Sequence, residues 1–122
     1  MKNPVGWFEI YVQDMARAQA FYEKVLGLKL SKLEGTDLDM LAFPMEQGGT
    51  GATGALVRMP GVESGHNSVL VYFMCDDCSV EEGRVAASGG KVEKKKFSIG
   101  RYGFISLVHD TEGNMIGLHS MK

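Results

Sequence analysis

The sequence predicts an α+β protein built from two tandem βαβββ modules, with curved sheets around a shared cleft and the helices outside. Three observations predict it. First, the chain matches its own pattern at a displacement of 63 residues, which lays Asp14 on Asp77, Gly27 on Gly90 and Gly54 on Gly117. Second, an aromatic and β-branched run, Trp7 to Val12, lies over a similar run, Leu70 to Cys75, and an Asp follows each. Third, each Asp opens a helical stretch that a Gly can end, with strand-like segments beyond. One βαβββ unit has a single helix, which cannot cover both faces of its sheet. Pairing two units solves the burial problem, within a chain or across a homodimer.

The elements follow in order. Residues 5–12 are a largely buried strand. Asp14 is a candidate N-cap for a helix whose apolar positions, Ala18, Phe21, Tyr22, Val25 and Leu26, fall at i, i+3, i+4, i+7 and i+8. Gly27 ends it. Strands are expected over 28–33, 40–43 and 54–59, with an irregular glycine-rich connector at 46–51. The second module starts with a strand over 68–75. Asp77 or Ser79 caps its helix, Glu81 and Glu82 lie in the first turn where the macrodipole favours negative charge, and Gly89 with Gly90 ends it. Strands over 91–97, 104–109 and 115–119 complete the chain, the last two joined by a tight turn at 110–114. The 122 residues fit one domain, with module 1 over about 4–59, a linker over about 60–67 and module 2 over about 68–122.

Thirteen basic against fifteen acidic residues give a net charge of −2, which offers no field for nucleic-acid phosphates. The one basic run, Lys94 to Lys96, suits a charged edge strand. No apolar run approaches the length of a membrane span. The N-terminus lacks the apolar core of a signal peptide, and two Cys make no disulfide scaffold. These features point to the cytoplasm.

The segment Val12-Gln13-Asp14-Met15-Ala16-Arg17-Ala18-Gln19-Ala20-Phe21-Tyr22-Glu23-Lys24-Val25-Leu26-Gly27-Leu28 and the ending Asp110 to His119 resemble the first module and the closing turn and strand of the vicinal oxygen chelate superfamily. That superfamily includes glyoxalase I, extradiol dioxygenases and bleomycin-resistance proteins. Its metal-dependent members hold a divalent ion with His and Glu from inner strands of both modules. Aligned on Asp14, those positions fall on Trp7, on Leu70, on Gly117, and on Gly54 or, with a slip of two, Leu56. None offers imidazole, carboxylate or thiolate to a cation. The resemblance therefore implies the fold without its usual metal site, and no cofactor.

Strand alternation sets Trp7, Glu9 and Tyr11 on one face. With Trp7 at a former ligand position, all three line the cavity. By the repeat, Leu70, Tyr72 and Met74 form the opposite wall, joined by Gly117 and His119. Apolar walls with a few polar groups describe a small-molecule site. Glu9 either anchors a cationic or hydrogen-bonding ligand group, or acts as a base, or bonds a neighbouring hydroxyl or His119 to organise the core. His66 and His109 are expected in solvent.

Cys75-Asp76-Asp77-Cys78 has redox-motif spacing, but the two carboxylates disfavour thiolate, and the repeat lays both Cys on apolar Val12 and Met15, as for small core residues. The loop 99–103 is either a solvated hairpin turn or a flap offering Arg101 to an anionic group. Three functions stay open. One is a metal-free, homodimeric binder of a small hydrophobic or aromatic molecule. The second is a metal-independent lyase or isomerase using Glu9, with or without His119, for proton transfer. The third is a glyoxalase-like lyase.

Overall fold

The structure, a computed structural model, describes residues 3–48, 51–109, 111 and 114–122. Two compact units emerge, Trp7–Val69 and a second made of Leu70–Lys122 with the residues up to Gly6. Each carries one helix and a four-stranded mixed sheet, so the α+β class and the βαβββ order hold.

In the first unit β1 (Val5–Tyr11) leads to α1 (Met15–Leu26), followed by β2 (Ser31–Lys32), β3 (Asp39–Ala42) and β4 (Thr53–Arg58). The sheet order is β2-β3-β4-β1, with β1 parallel to β4 and the other pairs antiparallel. Asp14 caps α1 by accepting the Arg17 amide at 3.1 Å, and Gly27 ends it at φ +66°, a left-handed conformation that costs a glycine little. Met15, Ala18 and Tyr22 pack on Val12, Leu30 and Leu56. Phe21, Val25 and Leu26, expected on the same buried face, are instead more than half exposed. The helix thus seats a narrower stripe than its apolar spacing suggested. The strand expected over 28–33 shrinks to two residues: the Leu28 amide donates to the Glu23 carbonyl at 3.3 Å and the Leu30 amide to the Glu23 carboxylate at 2.8 Å, so neither joins a ladder.

In the second unit β5 (Val69–Met74) leads to α2 (Cys78–Val85), then β6 (Lys91–Ser98), β7 (Phe104–His109) and β8 (Met115–Ser120). Here β5 runs parallel to β8, and β6-β7-β8 is an antiparallel meander. Of the two expected caps, Asp77 is the one used: its Oδ1 accepts the Ser79 amide at 3.0 Å. α2 is shorter than expected. A 3-10 turn over Ala86–Ser88 follows it, and Gly89, at φ +93°, makes the turn out. In the closing turn expected at 110–114, Asp110, Glu112 and Gly113 lie outside the described residues, as do Gly49 and Thr50 of the glycine-rich connector.

The strand pairings refine the repeat. Glu9 pairs with Ala55, and Tyr72, its counterpart 63 residues on, pairs with Gly117. The offset is therefore 63 at the first strand and the N-cap but 62 at the last strand, as it is between the left-handed glycines Gly27 and Gly89. Ala55, not Gly54, is the partner of Gly117 in the repeat. Gly54 and Leu56 belong to the helix-side face: a Cβ on Gly54 would meet Phe8, and Leu56 packs in the α1 core.

Candidate functional site

In the first unit alternation along β1 sends Phe8, Ile10 and Val12 toward α1 and Trp7, Glu9 and Tyr11 to the opposite face. That second face is apolar. Trp7, Tyr11, Leu33 and Met59 pack around buried Met40, Ala55 and Val57. Glu9 stands in its middle, only 8% exposed. Its carboxylate is clasped from both sides on its own strand: Tyr11 donates its hydroxyl to Oε1 at 2.6 Å, and Trp7 donates its indole N–H to Oε2 at 3.2 Å. The i±2 spacing makes this possible, because three consecutive same-face side chains stand side by side. Burying a carboxylate is tolerable only when it is hydrogen-bonded, and the clasp supplies that. Burial, reinforced by the Glu9 charge and hydrogen bond, pushes the Tyr11 hydroxyl far above the usual tyrosine range. Tyr11 therefore stays a neutral donor.

In the second unit the face opposite α2 carries Leu70 and Tyr72, both buried, and Met74, which is 45% exposed. Gly117 pairs with Tyr72, and His119 with Met74 on one side and Ile105 on the other. The Tyr72 ring lies so close to Gly117 that an added Cβ would collide with it. His119 Nε2 sits 2.6 Å from the Tyr102 carbonyl, and its buried Nδ1 has no hydrogen-bond partner. That link escaped the sequence reading. Only the spacing of His119, two residues beyond Gly117 and so on the same face, hinted at it.

Arg101 occupies a 3-10 turn over Gly100–Tyr102, exposed and stacked on the Tyr102 ring at 5.2 Å. His66 is exposed as expected. His109 differs from expectation: it is partly buried and meets Glu93 at 3.3 Å. Cys78 is fully buried, and both Cys78 and Cys75 join the α2 core with Val108 and Leu118. Burial, with the neighbouring Glu81 and Cys78, pushes the Cys75 thiol up to about 11, which favours the packing reading over a redox dithiol.

The four positions that the resemblance assigns to metal ligands carry Trp7, Ala55, Leu70 and Gly117 once the register is corrected. These side chains do not fit a metal ion, and among the described residues no three His, Cys, Asp or Glu side chains gather.

Comparison with known proteins adds three findings. Residues 5–41 match the family model described as bleomycin resistance protein-like N-terminal. The chain is 31% identical over 112 residues, 88% of its own length, to CFP32 of Mycobacterium bovis, a protein named for a suspected glyoxylase activity, and equally to its Mycobacterium tuberculosis counterpart. It spans only 40% of the length of these relatives. Among solved structures it resembles methylmalonyl-CoA epimerase from Mycobacterium tuberculosis, with a TM-score of 0.68 at 15% identity over 98% of this chain and 88% of that one. It also resembles a methylmalonyl-CoA epimerase variant from Streptomyces coelicolor, with a TM-score of 0.65 at 17% identity over 97% and 96%. At such identities the likeness is one of fold.

Proposed function

We propose that the chain is a glyoxalase/bleomycin-resistance-like member of the vicinal oxygen chelate superfamily that binds a small hydrophobic or aromatic molecule without a metal. One observation carries this reading. The sheet face opposite α1 is an aromatic and apolar surface, with a single buried carboxylate held in place by Trp7 and Tyr11. Apolar area supplies affinity and the fixed polar group supplies orientation. The proposal also assigns ligand-binding roles to Leu70, Tyr72, Met74, His119 and Arg101 in the second unit. The proposal treats residues 1–122 as a single domain of two modules, about 4–59 and 68–122. It includes a homodimer, because pairing modules across two chains would cover sheet faces that the single helix of each unit leaves open. The free thiols Cys75 and Cys78 agree with a reducing, cytoplasmic setting.

The alternative is proton transfer by Glu9, as in a lyase or isomerase. Both Glu9 oxygens already accept a hydrogen bond, and a carboxylate oxygen has a second lone pair with which to accept a ligand donor, whereas full protonation of the carboxylate would weaken the bonds from Trp7 and Tyr11. That favours binding over catalysis. Thermal-shift screening of small aromatic and apolar metabolites tests the proposal, because a ligand bound only by the native state raises the melting point. Saturable stabilisation without turnover supports it. Turnover by wild type that Glu9→Gln abolishes would favour the alternative, and stoichiometric metal in purified protein would remove the metal-free part.

A further inference from the structure

His119 carries a chemical asymmetry that the fold does not use. Its Nε2 is 2.6 Å from the Tyr102 carbonyl oxygen. A carbonyl only accepts, so Nε2 bears the proton, and in the neutral ring Nδ1 then presents a lone pair. Nδ1 is buried, and among the described residues it is the sole buried side-chain nitrogen or oxygen without a hydrogen-bond partner. Among the described residues of this unit the other buried side-chain polar atoms are satisfied: Ser120 Oγ, on a fully buried residue, accepts the Cys78 amide at 3.0 Å and donates to the Lys122 carbonyl at 2.7 Å. An unmet acceptor in an otherwise satisfied sheet calls for a physical explanation.

We infer that Nδ1 of His119 is the acceptor for a donor group, O–H or N–H, carried on the apolar body of a small molecule. The surroundings fit that class. His119 is flanked in register by Ile105 on β7 and Met74 on β5. Met74 is 45% exposed, and its unbranched thioether can re-pack to admit a ligand. The lone pair would repel a carboxylate or phosphate, so the site selects neutral donors such as phenols, enols, alcohols and indoles. The Tyr102 carbonyl makes the selection one-sided by fixing the tautomer.

The inference rests on the reading of the chain as a small-molecule binder and adds the polar group its ligand carries. Matched probes separate the two: phenol against anisole, and indole against N-methylindole, each pair sharing a body and differing in the donor. Titrations are followed on the full chain by nitrogen NMR of its labelled histidines, with His119 assigned through His119→Phe. The expected result is Nδ1 bare and Nε2 protonated in the free protein, with phenol and indole binding about three- to tenfold tighter than their methylated partners and shifting Nδ1. His119→Phe should erase that preference. Equal binding within each pair, or a protonated Nδ1 in the free protein, overturns the inference but leaves the binding reading standing. Failure of all four probes to bind removes both. The wild-type tautomer and the probe preference do not depend on the variant's folding.

Discussion

The Tyr72 ring occupies the space beside Gly117 that any side chain at 117 would need. The two are partners on the parallel pair β5–β8, so the glycine at a position that the resemblance assigns to a ligand and the tyrosine in front of it are one packing solution. Gly117→Glu should therefore not restore metal binding by itself. It should destabilise the protein by about 1–3 kcal/mol through overpacking, and Tyr72→Ala in the same chain should recover part of that loss. Urea denaturation of the two variants checks this, and a fully stable Gly117→Glu would contradict the packing account.

Tyr11 and Glu9 give a second expectation. Tyr11→Phe removes the 2.6 Å hydrogen bond to a buried carboxylate, at a cost of about 1–3 kcal/mol. The wild-type pair also sets an alkaline limit. Folding holds the Tyr11 pKa far above its ordinary 10.0, so the unfolded chain releases that proton first. The stabilisation is complete below about pH 10 and falls as pH rises beyond it. Melting curves from neutral to alkaline pH should show a steeper loss for wild type than for Tyr11→Phe.

Asp77 predicts the opposite end of the scale. Lys96, bonded to it at 2.8 Å, together with the Ser79 hydroxyl and amide, holds its carboxyl well below the ordinary 3.8. The contribution is present above that value and is lost as pH falls below it. Asp77→Asn keeps the helix cap but drops the charge, so its melting temperature should respond less than wild type to acid and to salt.

Cys75 and Cys78 should behave as core residues. With the Cys75 thiol pushed up to about 11 and Cys78 fully buried, alkylation at neutral pH should be slow in the native protein and fast in urea. Rapid disulfide formation under mild oxidation would contradict this.

Much of this was legible in residues, for physical reasons that differ element by element. Asp14 and Asp77 announced two helix starts because few side chains can cap one, and both do. The period-2 alternation of β1 placed Trp7, Glu9 and Tyr11 together because strand geometry allows nothing else. The repeat misled by one residue at β4, since a single offset cannot register a shift that accrues within the modules. Only the pairing of Glu9 with Ala55 reveals it. The outward turn of Phe21, Val25 and Leu26 was hidden because helical spacing gives a face its composition and not its width. The Tyr102–His119 bond joins residues from a turn and a strand through a backbone carbonyl, and a backbone partner leaves no mark in sequence.

The central claim is that the Trp7–Glu9–Tyr11 face binds a small molecule. Trp7 is the one tryptophan in the chain, and its indole N–H is bonded to Glu9, so its fluorescence reports directly from the candidate site. Titration of wild-type protein with any compound that raises its melting point should change Trp7 emission saturably, with the same midpoint as calorimetry, and Glu9→Gln should weaken that response. A stabilising compound that binds with Trp7 emission unchanged would contradict the claim.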